Sequence, residues 1–488
     1  MQHCSTVQQR SQWVSQMLVQ ERQHGLVSQL SRDYQVSRQT LYRWKAEVEQ
    51  AIQEALNPTT AKSKRKGWIE PAVLILFVEG HCSYRGIQMC MKELLGEQVD
   101  LETIVLIIQQ AGKRAQELLD QQRPARECAV ALDEQYSSKR GEAYLNIVDV
   151  RSSLVWASKP PVAVDAESWT VLLWYMQEQG VDWKTATSDG GRAIADALHM
   201  VKAVSRHQRD VWHVLHEGSK VQGRVDRYLK KLQEQLPTVS RQAERIAQGK
   251  KALGVHPRTD VQAHLAHIEQ ACRIASSLRY LLSELHHLLQ VVVLGQTSQH
   301  GILDCQRRKA ELDTLLQLLA DLEQEALPTI KREIHQMHTH LRLALPRLLL
   351  FACDLDQIQQ QVSCALGNEA LHLIGWAWQR RKILGPSTAT LLEGFDPSWR
   401  AMAQSLLQAW DDAVRASSAV ENWHSILRPH LAVHRGLSAH MLAVLAVRHN
   451  YHVAPRGIHA GLSPMQRSGI DQQTPDWLTA LGYAPIAA

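Results

Sequence analysis

The spacing of apolar and polar positions changes character three times along this chain. Between Leu26 and Tyr34 apolar residues recur at helical spacing, and a short turn at Gln35 and Val36 follows. Ser37 then stands where a helix N-cap belongs, because its hydroxyl can accept an otherwise orphaned backbone N–H. In the next helix Leu41 and Trp44 are spaced to pack inward, leaving Arg38, Gln39, Thr40, Arg43 and Lys45 outward. A helix, a tight turn and a capped second helix predict a helix-turn-helix whose second helix enters a DNA major groove. Further on, Ile69–Val78, Tyr84–Leu95 behind Ser83, and Leu101–Leu119 behind Asp100 read as three more helices. This second helical module serves DNA binding or dimerisation, with Lys113 and Arg114 facing out.

From Glu127 the period shortens. Strands are expected at Cys128–Asp133, Ala143–Val150, Leu154–Ala157, Lys184–Ser188 and Asp210–Val214. Amphipathic helices fall at Trp169–Gln179 and Arg192–Val204. Three strands, helix, strand, helix, strand is the order of a ribonuclease H-like α/β core with a mixed sheet. Over 215–415 strand character vanishes and Leu recurs at helical spacing, as in Leu278, Leu281, Leu285 and Leu288. The last part supplies a helix with Glu421, another at Ser438–Tyr451, and an irregular tail. The expected protein is multidomain: a helix-turn-helix domain (1–56), a basic linker (57–67), a second helical module (68–126), the first part of the core (127–214), an all-helical insertion (215–415) and the last part of the core (416–488).

Composition narrows the classes. With 488 residues, 45% hydrophobic and 21% charged, the chain is long enough for about three domains of ordinary globular type. A formal charge of +5 is too small to establish a nucleic-acid partner by itself, so local patches carry that argument. One is Lys62, Lys64, Arg65 and Lys66 in the linker, placed to follow phosphates or a minor groove. Eight scattered Cys without a Cys-x-x-Cys pair argue against a disulfide framework and fit a reducing cytoplasm. No apolar stretch reaches the ~20 residues of a membrane span, and no phosphate-binding Gly-Lys loop suggests ATP. A cytoplasmic location is expected, with no membrane and no ATP involved.

The chemistry rests on three acidic residues. Asp133 ends the first strand, Asp189 ends the fourth and precedes Gly190 and Gly191, and Glu421 lies on a late helix. Mg²⁺ is a hard cation that takes carboxylate, water and phosphate oxygens. Two such ions about 4 Å apart serve in-line displacement at phosphorus. The triad Asp133, Asp189 and Glu421 is therefore the expected catalytic and metal-binding set, for two Mg²⁺ with Mn²⁺ as a substitute. Glu134 should face the opposite side of the sheet, and Asp149 is the alternative ligand. Asp210 and His213 form an Asp-x-x-His element expected to orient the site. Glu421, Ser425 and Arg428 share a helix face with Asn422 beside it, and Arg428 suits a phosphate. In the insertion, Trp376, Trp378 and Arg380 combine aromatic and cationic groups suited to stacking on an unpaired base.

With these residues the chain resembles the DDE transposases of bacterial insertion sequences, in particular those with a Mutator- or hAT-like plan in which an all-helical insertion interrupts the core. Asp210 to His213 matches the element that follows the second Asp in that plan. Glu421–Pro429, His434–Gly436, Arg448–His452 and Gly461–Pro464 resemble its C-terminal signature. The resemblance implies hydrolysis at the element's ends to free a 3′-OH, which then attacks target DNA in the same site. It also implies double-stranded DNA partners, namely terminal inverted repeats and target, and at least a homodimer on that DNA. Two departures are a long Asp189-to-Glu421 spacing and His449 preceding Asn450. The rival is a catalytically silent, domesticated transposase acting as a DNA-binding regulator or scaffold.

Overall fold

The computed structural model describes residues 6–19, 25–55, 67–123, 128–202, 206–250, 260–295, 301–384, 390, 392–456, 460–472, 474 and 476–483. Two compact units result, one of residues 1–80 with 482–488 and one of residues 81–481. The boundary cuts the stretch expected as a second module. The linker cations Lys62, Lys64, Arg65 and Lys66 lie outside the described residues.

The first unit contains α1 (Val7–Val19), α2 (Leu26–Asp33), α3 (Arg38–Ala55) and α4 (Ile69–Val78). Trp13, Met17, Leu30 and Leu41 form a small core against which Trp44 and Val36 pack. Ser37 Oγ accepts the backbone N–H of Thr40 at 3.1 Å, which starts α3 where the sequence predicts. Arg38, Gln39 and Arg43 are exposed. Thr40 and Lys45 are less available. The Thr40 hydroxyl sits 2.8 Å from that of Ser37, and half-buried Lys45 pairs with Glu49 at 3.3 Å.

The second unit is mostly helical around one five-stranded mixed sheet: β1 (Cys128–Tyr136), β2 (Glu142–Asp149), β3 (Val155–Ala163), β4 (Trp183–Ser188) and β5 (Arg206–Arg209). The order is β3-β2-β1-β4-β5. β1 and β2, and β2 and β3, pair antiparallel, while β1–β4 and β4–β5 are parallel. β1 is buried on both faces as far as Asp133, as a central strand must be. β3 runs further than expected and carries Pro160 and Pro161, which an edge strand tolerates because one side makes no ladder.

Two boundaries differ from expectation for physical reasons. Asp133 is not at a strand end, because β1 continues to Tyr136 by pairing with β2 alone. The fifth strand is Arg206–Arg209 rather than Asp210–Val214. Asp210 instead caps a 37-residue helix, Val211–Ala247, with Val211 and Val214 buried at helical spacing.

Helices α5 (Tyr84–Leu95) and α6 (Leu101–Gln121) begin at Ser83 and Asp100, whose side chains accept from Gly86 and Thr103. They belong to the unit with the sheet. Helix α6 lies against the C-terminal helix Ala439–Tyr451, so close that a Cβ on Gly112 would sit 2.3 Å from that of His440. Lys113 remains exposed, whereas Arg114 donates to the Leu481 carbonyl at 3.0 Å.

The helices from Val211 to Asp411 share one continuous core, from Val221 through Leu285, Leu319 and Ile334 to Trp410. At its edge buried Cys305 is disulfide-bonded to exposed Cys353, 48 positions away in sequence, where the sequence argued against a disulfide framework. Folding brings together two Cys whose spacing carries no motif. Among the described residues no helix is long and apolar enough to cross a membrane.

Candidate active site

The site forms where parallel pairing in the sheet stops. Ala131 of β1 pairs with Thr187 of β4. Two residues further along β1 stands Asp133, and Asp189 follows directly on the end of β4. Glu134 points the other way from Asp133 and accepts the Trp169 indole N–H at 2.9 Å from helix Ala166–Glu178. Asp149 is not a substitute ligand. Its Oδ1 accepts Arg151 N, Ser152 N and the Ser152 hydroxyl, which closes the β2–β3 turn.

The third carboxylate arrives on helix Ser418–Val433, which packs on β1 and β2. Ligand atoms of Asp133, Glu421 and His424 all lie within 4.8 Å of one another. Asp189 stays outside that tight group, but its charge is felt there. Burial first, and then the Asp189 carboxylate, push the Asp133 pKa up to about 7. Such crowding of acidic groups at a partly dry position is the electrostatic condition that a bound cation relieves. The carboxylate donor set suits a hard divalent ion.

His424 was not marked in the sequence. It falls one helical turn after Glu421, which puts both on one face. Its Nδ1 is 3.8 Å from Asp133 Oδ2, and its Nε2 is 3.1 Å from Asn146 Nδ2. Asn146 Oδ1 accepts the Ser158 hydroxyl at 2.7 Å and the Trp423 indole N–H at 3.0 Å. An indole N–H only donates, so the amide of Asn146 has its oxygen there and its NH₂ toward Tyr144 O and His424. His424 Nε2 is thereby the acceptor, and the ring proton sits on Nδ1, directed to Asp133. Burial holds the His424 pKa down at about 4, so the ring is neutral.

Asp210 ties the end of β5 to the segment that precedes the Glu421 helix. Its Oδ1 caps the Val211–Ala247 helix through Trp212 N and His213 N, at 2.6 and 3.2 Å. Its Oδ2 accepts Ser417 N at 2.8 Å and also the Ser417 hydroxyl. Val211 N donates to Arg415 O at 2.9 Å alongside. The chain thus leaves the sheet and returns at one clamp, four residues before Glu421. His213 Nδ1 lies 3.1 Å from Asp210 Oδ2. Burial alone would raise the Asp210 pKa, but the bonds from His213 and Ser417 outweigh it and lower the value. The His213 pKa is raised, first by its bond to Asp210 and further by the charges of Asp133 and Asp189.

Around this centre the remaining expected residues divide. Arg428 donates to Glu421 Oε2 at 2.8 Å, so its guanidinium reaches the site by pairing with the carboxylate. Asn422 is exposed beside Glu421. In the insertion, exposed Arg380 lies 4.7 Å over the ring of Trp376. Trp378 is committed to packing: its indole donates to Asp411 at 3.0 Å, its ring meets Trp410 edge-on, and Arg381 covers it. The C-terminal signature has structural employment as well. Asn450, fully buried, accepts from Val155 N at 2.9 Å and donates to Val155 O at 3.0 Å, replacing a neighbouring strand at that point of β3. Ser463 and Gln466 form a reciprocal capping box.

No known family model matches the chain, and no curated protein matches it either.

Proposed function

We propose that this chain is a DDE-type transposase with a ribonuclease H-like core, and that Asp133, Asp189 and Glu421 are its catalytic carboxylates. The observation that carries this reading is the convergence of Asp133 and Glu421 to within 4.8 Å, from a sheet strand and from a helix on the far side of a 200-residue-scale helical insertion. The order β3-β2-β1-β4-β5, with the two parallel pairs on one side, agrees with that core. The upward shift of Asp133 adds to it, since burial and the neighbouring Asp189 carboxylate both disfavour its charge.

Asp133 and Glu421, with Asp189 beside them, would hold divalent ions, Mg²⁺ or Mn²⁺. When bound, such ions supply Lewis-acid stabilisation of charge at phosphorus. The chain's own residues do the positioning. Asp210 fixes the start of the Glu421 helix relative to the sheet. His424 stands with its Nδ1 3.8 Å from Asp133 and is fixed by Asn146. Arg428 holds Glu421 and is near enough to meet a phosphate once metal claims that carboxylate. The exposed face of α3, with Arg38, Gln39 and Arg43, serves as the recognition surface for terminal inverted repeats. Trp376 with Arg380 offers a stacking platform for an unpaired base. Two ends must be held at once, so a dimer or larger assembly forms on DNA.

The test uses the purified chain, Mg²⁺ and a labelled duplex carrying the DNA that flanks its own gene. Wild type should cleave 3′ ends and yield joined products, and Asp189→Asn should do neither. Binding without cleavage by either protein would favour the silent regulator. Cleavage surviving in Asp189→Asn would show that other carboxylates act.

A further inference from the structure

Beside the carboxylates lies a cleft of about 350 Å³ between the β4–β5 end of the sheet and helix Pro328–Leu348 of the insertion. Asp189, Gly190, His207, Arg209 and Arg347 line it. Two features distinguish it from an ordinary surface groove. The first is Arg209. Its guanidinium lies across Gly190 so closely that a Cβ there would be 1.7 Å from Nη1, and Gly190 has φ +79°. Only glycine combines that backbone conformation with that approach. The buried Nε of Arg209 finds no hydrogen-bond acceptor, and no ion pair engages this guanidinium among the described residues. A buried donor left in this way costs free energy until an acceptor arrives.

The second feature is how Arg347 is held. Gln208 of β5, fully buried, donates to Leu348 O and accepts from Phe351 N, both at 3.0 Å. This clamps the end of the helix to the sheet with Arg347 beside His207, its Nη1 3.1 Å from His207 Nδ1. His207 Nε2 is 2.7 Å from Ser188 Oγ, so the ring is fixed from both sides. Burial, then Arg347 and Arg209, hold the His207 pKa down at about 4, leaving a neutral spacer between two cations. Glu217 at the rim is occupied by His340 at 3.7 Å. Asp189 is therefore the carboxylate of the lining that no cation in the cleft engages, and it stands at the side facing Asp133.

We propose that this cleft is a phosphodiester-binding subsite, in which Arg209 and Arg347 grip a DNA backbone phosphate next to the one that reaches Asp133 and Asp189. The proposal rests on the transposase reading for its ligand. Two guanidiniums present forked donors that match the oxygens of a phosphate. Because one comes from the core and the other from the insertion, the helical insertion becomes part of the substrate track.

Arginine footprinting of the full chain with phenylglyoxal, read by peptide mass spectrometry, tests this directly. The probe is a short labelled DNA duplex whose binding is followed in parallel by fluorescence anisotropy. Bound DNA should suppress adducts at Arg209 and Arg347. In the double variant Arg209→Gln with Arg347→Gln, the slope of log affinity against log salt should flatten by about 1, since the one lost phosphate contact removes roughly 0.9. The Arg209→Lys with Arg347→Lys variant should keep the slope and serves as the folding control through its circular dichroism. DNA that binds without protecting either arginine would overturn the subsite and leave the transposase reading standing. Protection with no cleavage of any substrate would sustain the subsite and count against the transposase. Absence of DNA binding altogether would remove both.

Discussion

Asp210 and Ser417 are 207 positions apart in sequence, and one carboxylate oxygen of Asp210 accepts both the backbone N–H and the hydroxyl of Ser417. The other oxygen caps the helix that carries the chain away into the insertion. The placement of Glu421 against the sheet thus depends on a buried acid that is not itself one of the proposed metal ligands.

Replacing Asp210 by Ala leaves the Ser417 donors and the cap donors without acceptors. The expected cost is about 3 kcal/mol, within the range for breaking a buried charged network. Ser417→Ala should cost about 1 kcal/mol, because the backbone bond survives. Hydrogen exchange across residues 415–425 should accelerate in Asp210→Ala and much less in Ser417→Ala. Equal acceleration in the two would refute the clamp.

Asn146 joins Ser158, Trp423 and His424 in one buried cluster. Asn146→Ala should destabilise the second unit by about 2–3 kcal/mol, since it strands an indole N–H and a hydroxyl. It should also free the His424 ring to adopt either tautomer. ¹⁵N chemical shifts of the imidazole report this, with Nδ1 protonated in the wild type. A wild-type ring protonated on Nε2 instead would reverse the assignment.

Gly112→Ala should be destabilising by about 1–3 kcal/mol despite alanine's better helix propensity. The new methyl would meet not only the His440 side chain but its backbone Cα at 2.5 Å, which cannot rotate aside. Calorimetry of the full chain should show a lower transition midpoint, and an unchanged one would mean that the two helices stand further apart.

Acid should destabilise the protein through its buried imidazoles. His449 Nε2 donates to Ser153 O at 2.8 Å, and burial holds its pKa down at about 4. In the unfolded chain an imidazole titrates near ~6.5. Between those values the unfolded state binds more protons, so this contribution is intact above pH ~6.5 and is lost as pH falls toward 4. Asp133 acts in the opposite sense: its raised pKa favours the folded state below ~4 and that benefit disappears as pH rises to about 7. Comparing wild type with His449→Gln isolates the first effect. The difference in urea midpoint between pH 7 and pH 5 should be smaller in the variant, and an identical difference would show that His449 is already charged when folded.

Much of the plan is legible in sequence because it is local. Ser37, Ser83 and Asp100 cap the helices they precede, and the helical period of residues 215–415 matches a run of helices that share one core. The alternation around Asp133 separates it from Glu134. These features depend on neighbours within a few positions, where backbone geometry dictates which side chains share a face.

What depends on contacts across hundreds of residues could be decided only by tertiary packing. Asp210 has the same local sequence whether it begins a strand or caps a helix, and the incoming Ser417 accompanies the second outcome. Trp378 looks like a stacking platform until Asp411 and Trp410 occupy it. His424 is fixed by Asn146 on β2, and Arg209 shares a cleft with Arg347 of a distant helix. The periodicity of a sequence specifies which face of each element is apolar. Which faces then meet, and so which polar groups become partners, is settled by how the elements close over one another.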